Sequence, residues 1–189
     1  MPTANGKRPT LDPAVRALRD GQVVACPTEA VWGLSCDPHN DAALTRLMSI
    51  KAREPSKGVI VVAASIEQLE PWLKDLPYDL YAPLLKSWPG PVTWLVPDNG
   101  IAHALVRGRH DCVALRVTDH SGMRALCEAF GGPLVSTSAN RAGEPPALSA
   151  IEARATFGAE LGAIVAGELG GRTRPSQIRD LASGRVLRA

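Results

Sequence analysis

Residues 51–58, Lys51-Ala52-Arg53-Glu54-Pro55-Ser56-Lys57-Gly58, constrain this chain more than any other stretch. Before them Leu44, Leu47 and Met48 recur at helical spacing behind an Asn40-Asp41 N-cap, which predicts an amphipathic helix reaching about Lys51. After them comes Val59-Ile60-Val61-Val62-Ala63-Ala64, whose unbroken apolarity predicts a buried strand. The junction between these elements holds three cations within seven residues. Cations crowded so closely repel one another unless an anion is held among them. A phosphate is the anion that such a helix-to-strand junction would take; a solvated basic turn is the other reading of the same residues.

The rest of the composition makes that local charge informative. Net charge is only +2 and the sequence carries four scattered cysteines, Cys26, Cys36, Cys112 and Cys127, with no C-x-x-C pair. Anion binding must therefore come from a local cluster rather than a global field. The cysteines fit neither a disulfide framework nor a zinc knuckle, and point to reduced thiols. No window approaches ~18 uninterrupted apolar residues and no signal-peptide core appears, so the expectation is a cytoplasmic protein with no membrane partner. A length of 189 residues suits one sizeable core. Residues 1–9 read as a flexible arm and residues 10–189 as a single domain.

Along that domain, helices are predicted from Leu11 to Asp20, from Pro77 to Trp88, from Met123 to Phe130 and from Ser149 to about Phe157. Ser65-x-x-Gln68 and Ser149-x-x-Glu152 have the pattern of capping boxes. Apolar strands are predicted at 23–26, 92–96, 113–117, 134–135 and 163–165, with a C-terminal hairpin turning about Ser183-Gly184. Residues 101–111 show no period and read as a loop. Helices and strands mingle without strict alternation, which predicts one α/β domain with a twisted, open, mixed sheet.

Several chemistries are absent from the sequence. There is no G-x-x-x-x-G-K-[ST], no G-x-G-x-x-G, no H-E-x-x-H and no G-x-S-x-G. Three polar groups stand just past predicted strands, where open α/β sheets bind ligands. Pro27-Thr28-Glu29 places a hydroxyl and a carboxylate on a stiffened turn. Lys51, Arg53 and Lys57 form the cationic junction. Ser136-Thr137-Ser138-Ala139-Asn140 offers hydroxyls, an amide and close backbone approach. The first and third are also compatible with ordinary turns. Arg116, inside a strand, must reach solvent, an acid or an anionic ligand, and its parity relative to Leu115 fits an outward or cleft-facing side chain.

Taken in order, Pro27-Thr28-Glu29 with Gly33-Leu34, Lys51-x-Arg53 with Lys57-Gly58, Trp88-Pro89-Gly90-Pro91-Val92-Thr93, Ala114-x-Arg116-Val117, Ser136–Asn140 and Pro175-Ser176-x-Ile178 resemble one family. It is that of the YrdC-like threonylcarbamoyl-AMP synthases of the short, single-domain TsaC type. The resemblance implies a concave basic cleft on the sheet. It also implies a nucleotidyltransferase reaction in which L-threonine, bicarbonate and ATP give threonylcarbamoyl-AMP and pyrophosphate. Proteins that transfer the threonylcarbamoyl group to tRNA would be downstream partners, and contact with tRNA itself is a further implied possibility. Thr28, Arg116, Ser138 and Ser176 are implied to hold threonine and its carbamate. Lys51, Arg53, Lys57, Asn140, Ser149 and Arg188 are implied to hold ATP, with Lys51 and Arg53 acting on the phosphates. Mg²⁺ is expected on those phosphates, without dedicated protein ligands. The chain departs from the family at Glu54, which intervenes before Pro55 where proline usually follows the arginine directly. Two other functions compete: an RNA-binding module using the basic segment Arg172, Arg174, Arg179, Arg185 and Arg188, and a carbamoyl-transfer domain.

Overall fold

A computed structural model describes residues 10–189, so the predicted arm at residues 1–9 lies outside the described residues. Nine strands form one mixed sheet: β1 (Val24–Pro27), β2 (Trp32–Ser35), β3 (Ile60–Ala63), β4 (Val92–Pro97), β5 (Cys112–Val117), β6 (Leu134–Ser138), β7 (Ala163–Ile164), β8 (Gln177–Asp180) and β9 (Val186–Arg188). Their spatial order is β7-β1-β2-β6-β3-β5-β4-β8-β9. The pairs β1/β7, β3/β5 and β4/β8 are parallel and the others antiparallel. Seven α-helices accompany them: α1 (Asp12–Arg19), α2 (Asp41–Lys51), α3 (Glu70–Leu73), α4 (Tyr81–Ser87), α5 (Ala104–Arg107), α6 (Ser121–Phe130) and α7 (Ala150–Phe157). Among the described residues no helix is long and apolar enough to cross a membrane.

The two faces of the sheet carry different loads. On one, Val61, Val113, Leu115, Val117 and Val135 pack under Leu44 and Leu47 of α2, Trp72 of α3 and Phe157 of α7. On the other, Val24, Cys26, Val62 and Leu134 pack under α1 and α6 through Leu18, Met123 and Leu126. Strand alternation sets this division, because successive side chains point to opposite faces. The α1/α6 cover stops partway along the strands. Beyond it, the same face continues through Ile60, which is paired with Ala114 and with Ser136. Small side chains there leave room above the sheet. Arg116 pairs with Val62 in register, at the border between the covered and open halves.

Several local expectations need correction. Ser65-Gln68 forms no capping box: Gln68 Oε1 accepts from Ala64 N at 2.9 Å, and a 3-10 turn starts at Glu67. Tertiary pull on Ala64, at the end of the buried β3 run, wins over the local motif. The helix expected from Pro77 opens as a 3-10 turn at Tyr78–Leu80 before becoming α4. Residues 101–111 are not all loop, since His103 caps the short helix α5 by accepting from Leu105 N at 3.1 Å. Trp32–Ser35, seen in the sequence only as a tight glycine-containing segment, is a full strand in the middle of the sheet. Its Gly33 is hemmed in as expected: an added Cβ would sit 3.1 Å from Thr28 Cγ2 and 3.3 Å from Thr137 O. The four cysteines are free thiols, and burial pushes Cys26 up to about 11 and Cys36 up to about 12.

Helix α5 explains how the cationic junction is held. The turn Pro55–Lys57 lies against residues 106–109, with Val59 N bonded to Val106 O at 2.9 Å and Arg109 N to Ser56 O at 3.0 Å. Gly58 has φ 60° and ψ −176°, and an added Cβ would meet Val106 O and Arg107 O at 2.7 Å. Gly108 has φ 68°, and an added Cβ would run into Ser56 O. Gly108→Ala is therefore expected to lower stability by about 2–4 kcal/mol, combining backbone strain with a backbone clash. Thermal unfolding checks this; a Tm within about 2 °C of the parent would contradict it.

Candidate active site

The open half of the sheet forms a cleft of ≈ 500 Å³. Six of its lining residues are arginines (Arg53, Arg107, Arg116, Arg172, Arg174 and Arg188), joined by Lys57, and the lining carboxylate is Glu29. A chain of net charge +2 thus concentrates its positive charge in one concavity.

One end is built from the turn after β1, the middle of β5 and the entry to β8. Thr28 and Glu29 are buried, and Thr28 Oγ1 donates to Val31 O at 2.7 Å, which leaves the hydroxyl oxygen free to accept. Arg116, 6% exposed, sits with Nη2 3.3 Å from Glu29 Oε2. Burial pushes the guanidinium's pKa down, and the Glu29 charge opposes that shift. Arg116 Nε is buried without a hydrogen-bond partner among the described residues. A buried donor without an acceptor is costly. Ser176 Oγ lies 2.9 Å from Thr93 Oγ1, and Arg188 Nε and Nη2 donate to Ser176 O at 3.1 and 2.7 Å. These bonds pin the C-terminal hairpin to β4 and bring Ser176 and Arg188 onto the cleft.

The other end is the cationic junction. Arg53, half-buried, donates from Nε to Gly58 O at 3.0 Å, while its Nη groups make no hydrogen bond among the described residues. Lys57 lines the cleft from the adjoining turn. Glu54, the residue that departs from the family pattern, accepts from Ser56 Oγ at 2.6 Å and lies 3.9 Å from Lys57 Nζ. The Ser56 bond foremost, and Lys57 after it, hold its carboxyl below the usual range. Lys57 thus has a competing surface partner, and Arg53 does not.

Lys51 is placed differently from Arg53. It is not among the residues lining the cleft, and its side chain is 3% exposed. Its Nζ donates to Ser138 O, to Asn140 O at 2.8 Å and to Asn140 Oδ1 at 3.4 Å. An ammonium has three donors, so none is left for a phosphate. Burial, and then repulsion from Arg53, push its pKa down to about 8. Lys51 fastens the 138–140 loop to the end of α2. Asn140 is likewise turned inward: its Oδ1 accepts from Ser138 Oγ at 2.6 Å, and its Nδ2 donates to Arg141 O and Glu144 O, each at 2.9 Å. Ser149 also lies off the cleft, where it N-caps α7 by accepting from Glu152 N at 3.2 Å. Ser138 itself remains on the cleft wall.

The arginines of the C-terminal segment part company. Arg172, Arg174 and Arg188 face the cleft, whereas Arg179 lies over the Trp94 ring at 5.8 Å on the other face of the sheet. Sequence reasoning missed Arg107, which reaches the cleft from α5, and the pairing of Glu29 with Arg116. Both depend on contacts across the sheet, and only the latter left a signal, a carboxylate and an arginine each just past or within an apolar strand.

Comparison with known proteins accords with this geometry. A curated threonylcarbamoyl-AMP synthase of Chromohalobacter salexigens is 61% identical over 175 residues, 93% of this chain and 94% of that one. Another, from Cellvibrio japonicus, is 51% identical over 181 residues, covering 95% of each chain. The crystal structure of P. abyssi Sua5 complexed with L-threonine superposes with a TM-score of 0.81 at 31% identity, over 89% of this chain; the chain spans 50% of the length of that protein. The family model Sua5/YciO/YrdC, described as telomere recombination, matches residues 16–189, and the chain belongs to that family.

Proposed function

We propose that this protein is a threonylcarbamoyl-AMP synthase of the nucleotidyltransferase type, converting L-threonine, bicarbonate and ATP to threonylcarbamoyl-AMP and pyrophosphate. The observation that carries the reading is the two-ended cleft: a buried Arg116 with a free Nε at one end, and Arg53 with free Nη groups at the other. An amino-acid carboxylate suits the first end and a polyphosphate the second.

In this reading the threonine amine adds to bicarbonate with loss of water, giving a carbamate. A carbamate oxygen then attacks the α-phosphorus of ATP and pyrophosphate departs. No covalent enzyme intermediate is required. The protein's contribution is to position the reactants and stabilise developing charge. Arg116, Thr28 and Ser176 hold the amino acid, and Ser138 faces the carbamate between the two ends. Arg53, Lys57 and Arg188 meet the phosphates. Lys51, Asn140 and Ser149 act indirectly, by fixing the loop and helix that border the cleft. Mg²⁺ belongs with the ATP as part of the substrate; the lining cations suit phosphate oxygens, and the lining carboxylate Glu29 already serves Arg116 and Thr118. The product is an activated carbamoyl adenylate, which tRNA threonylcarbamoyl-transferase proteins in the cytoplasm would consume.

The test is conversion of ATP to the adenylate with RNA omitted, in reactions lacking threonine or bicarbonate in turn. Turnover that needs both is expected. Absence of turnover, with RNA retained by the protein, would favour a binding module, and turnover of carbamoyl phosphate would favour a carbamoyl-transfer domain.

A further inference from the structure

Three consecutive residues after β5 each engage a different part of the amino-acid end. Thr118 Oγ1 donates to Glu29 Oε1 at 2.5 Å, Asp119 Oδ2 accepts from Arg172 Nη2 at 2.5 Å, and His120 Nε2 lies 3.0 Å from Glu168 O. Thr118 is fully buried, and its hydroxyl oxygen accepts from His120 N at 3.1 Å. With that lone pair taken, its proton is directed at Glu29. The directions are therefore set: His120 N–H donates to Thr118 Oγ1, Thr118 O–H donates to Glu29 Oε1, and Arg116 Nη2 faces Glu29 Oε2 as the donor of that ion pair. The bond from Thr118 fixes the rotation of the Glu29 carboxylate, and in that orientation Oε2 is the oxygen turned to Arg116 Nη2. The guanidinium is thereby held at one edge, and its Nε remains unpaired.

We propose that Thr118 is a positioning residue for Arg116, acting through Glu29. By anchoring Oε1 it holds the carboxylate in an orientation that turns Oε2 to Nη2, away from the two-oxygen arrangement that arginine and carboxylate otherwise favour. Arg116 is kept charge-balanced by Glu29 while its Nε stays available to a ligand. That the ligand is the amino-acid carboxylate rests on the function proposed above.

Thr118→Val keeps the shape of the side chain and removes only the hydroxyl; Thr118→Ser keeps the hydroxyl. In the valine variant Glu29 is expected to turn onto Arg116. The KM for L-threonine should rise at least tenfold, with the KM for ATP within twofold, and Thr118→Ser should return the threonine KM to within threefold of the parent. An unchanged threonine KM, or equal rises in both KM values, would overturn the positioning role. A second readout is independent of activity. In ¹⁵N-labelled protein the Arg116 Nε–H signal, assigned by its loss in Arg116→Lys, should shift in Thr118→Val and return in Thr118→Ser. If it does not move, the inference fails even where threonine proves to be the substrate. If it moves and threonine supports no turnover in the parent, the positioning stands and the substrate assignment fails. Should the valine variant not fold, Glu29→Gln gives the same two readouts, because a glutamine that accepts from Thr118 through its amide oxygen turns its NH2, a donor, toward Arg116.

Discussion

Replacing Arg53 with alanine is expected to lower threonine-dependent pyrophosphate release on the order of 10²-fold and to leave Tm within about 2 °C of the parent. The side chain contributes little to the fold. The hydrogen bond it makes among the described residues is to Gly58 O at 3.0 Å, and the backbone bonds to Val106 and Ser56 already hold that turn. Its charge stands half-buried in a cleft where neighbouring cations prevail, and burial lowers its pKa. An incoming triphosphate offers compensation that the free protein lacks. A planar fork with Nε already anchored also loses little freedom when its Nη groups meet phosphate oxygens. Steady-state pyrophosphate release and thermal unfolding measure the two quantities. Turnover within threefold of the parent would remove Arg53 from the phosphate end.

Lys51→Met is expected to behave differently, although the two residues are neighbours in one motif. Removing the ammonium leaves Asn140 O without its donor and loosens two more oxygens of the 138–140 loop. An unsatisfied buried carbonyl costs about 1–3 kcal/mol, roughly 3–9 °C in Tm for a chain of this size. The loop carries Ser138 and borders the phosphate end, so the KM for ATP should rise about tenfold along with the fall in Tm. pH supplies the control. Lys51 is pushed down to about 8, so the protonated form prevails at pH 7 and is lost as pH rises toward 9. A neutral amine has two N–H groups for three oxygens. The parent KM for ATP should climb across that window, while the variant starts high and stays flat. A phosphate-contacting Lys51 would instead give a large activity loss with Tm unchanged.

The contrast between these residues shows how far the sequence could be read. Strands and helices were legible where pattern is local: Val59–Ala64 could only be a buried strand, and Asn40 caps α2 by accepting from Ala43 N as its position predicts. The clustering of Thr28, Arg53, Arg116 and Ser176 on one cleft was legible through the ordered motifs. What remained hidden was side-chain direction across the sheet. Lys51 and Arg53 are two residues apart, yet Lys51 ends α2 and turns toward a loop 87 residues later, while Arg53 lies beyond Ala52, whose φ of 49° redirects the chain. No periodicity predicts that reversal. The Glu29–Arg116 pair was hidden for the same reason, since strand parity placed Arg116 toward a cleft without saying which acid it would meet.

The paired glycines at 58 and 108 have a consequence for how this protein tolerates change. Each leaves no room for a Cβ because the main chain around the other occupies that space, and main chain cannot step aside as a side chain can. Substitutions at the two positions should therefore fail singly, and a second change at the partner should not rescue the first. In a random-mutagenesis library both sites would stay glycine under selection for function, although neither has a side chain with which to touch a substrate. Their intolerance would mark the spacing of two backbones that keeps Arg53 and Lys57 at the mouth of the cleft, and a search for reactive groups alone would pass over it.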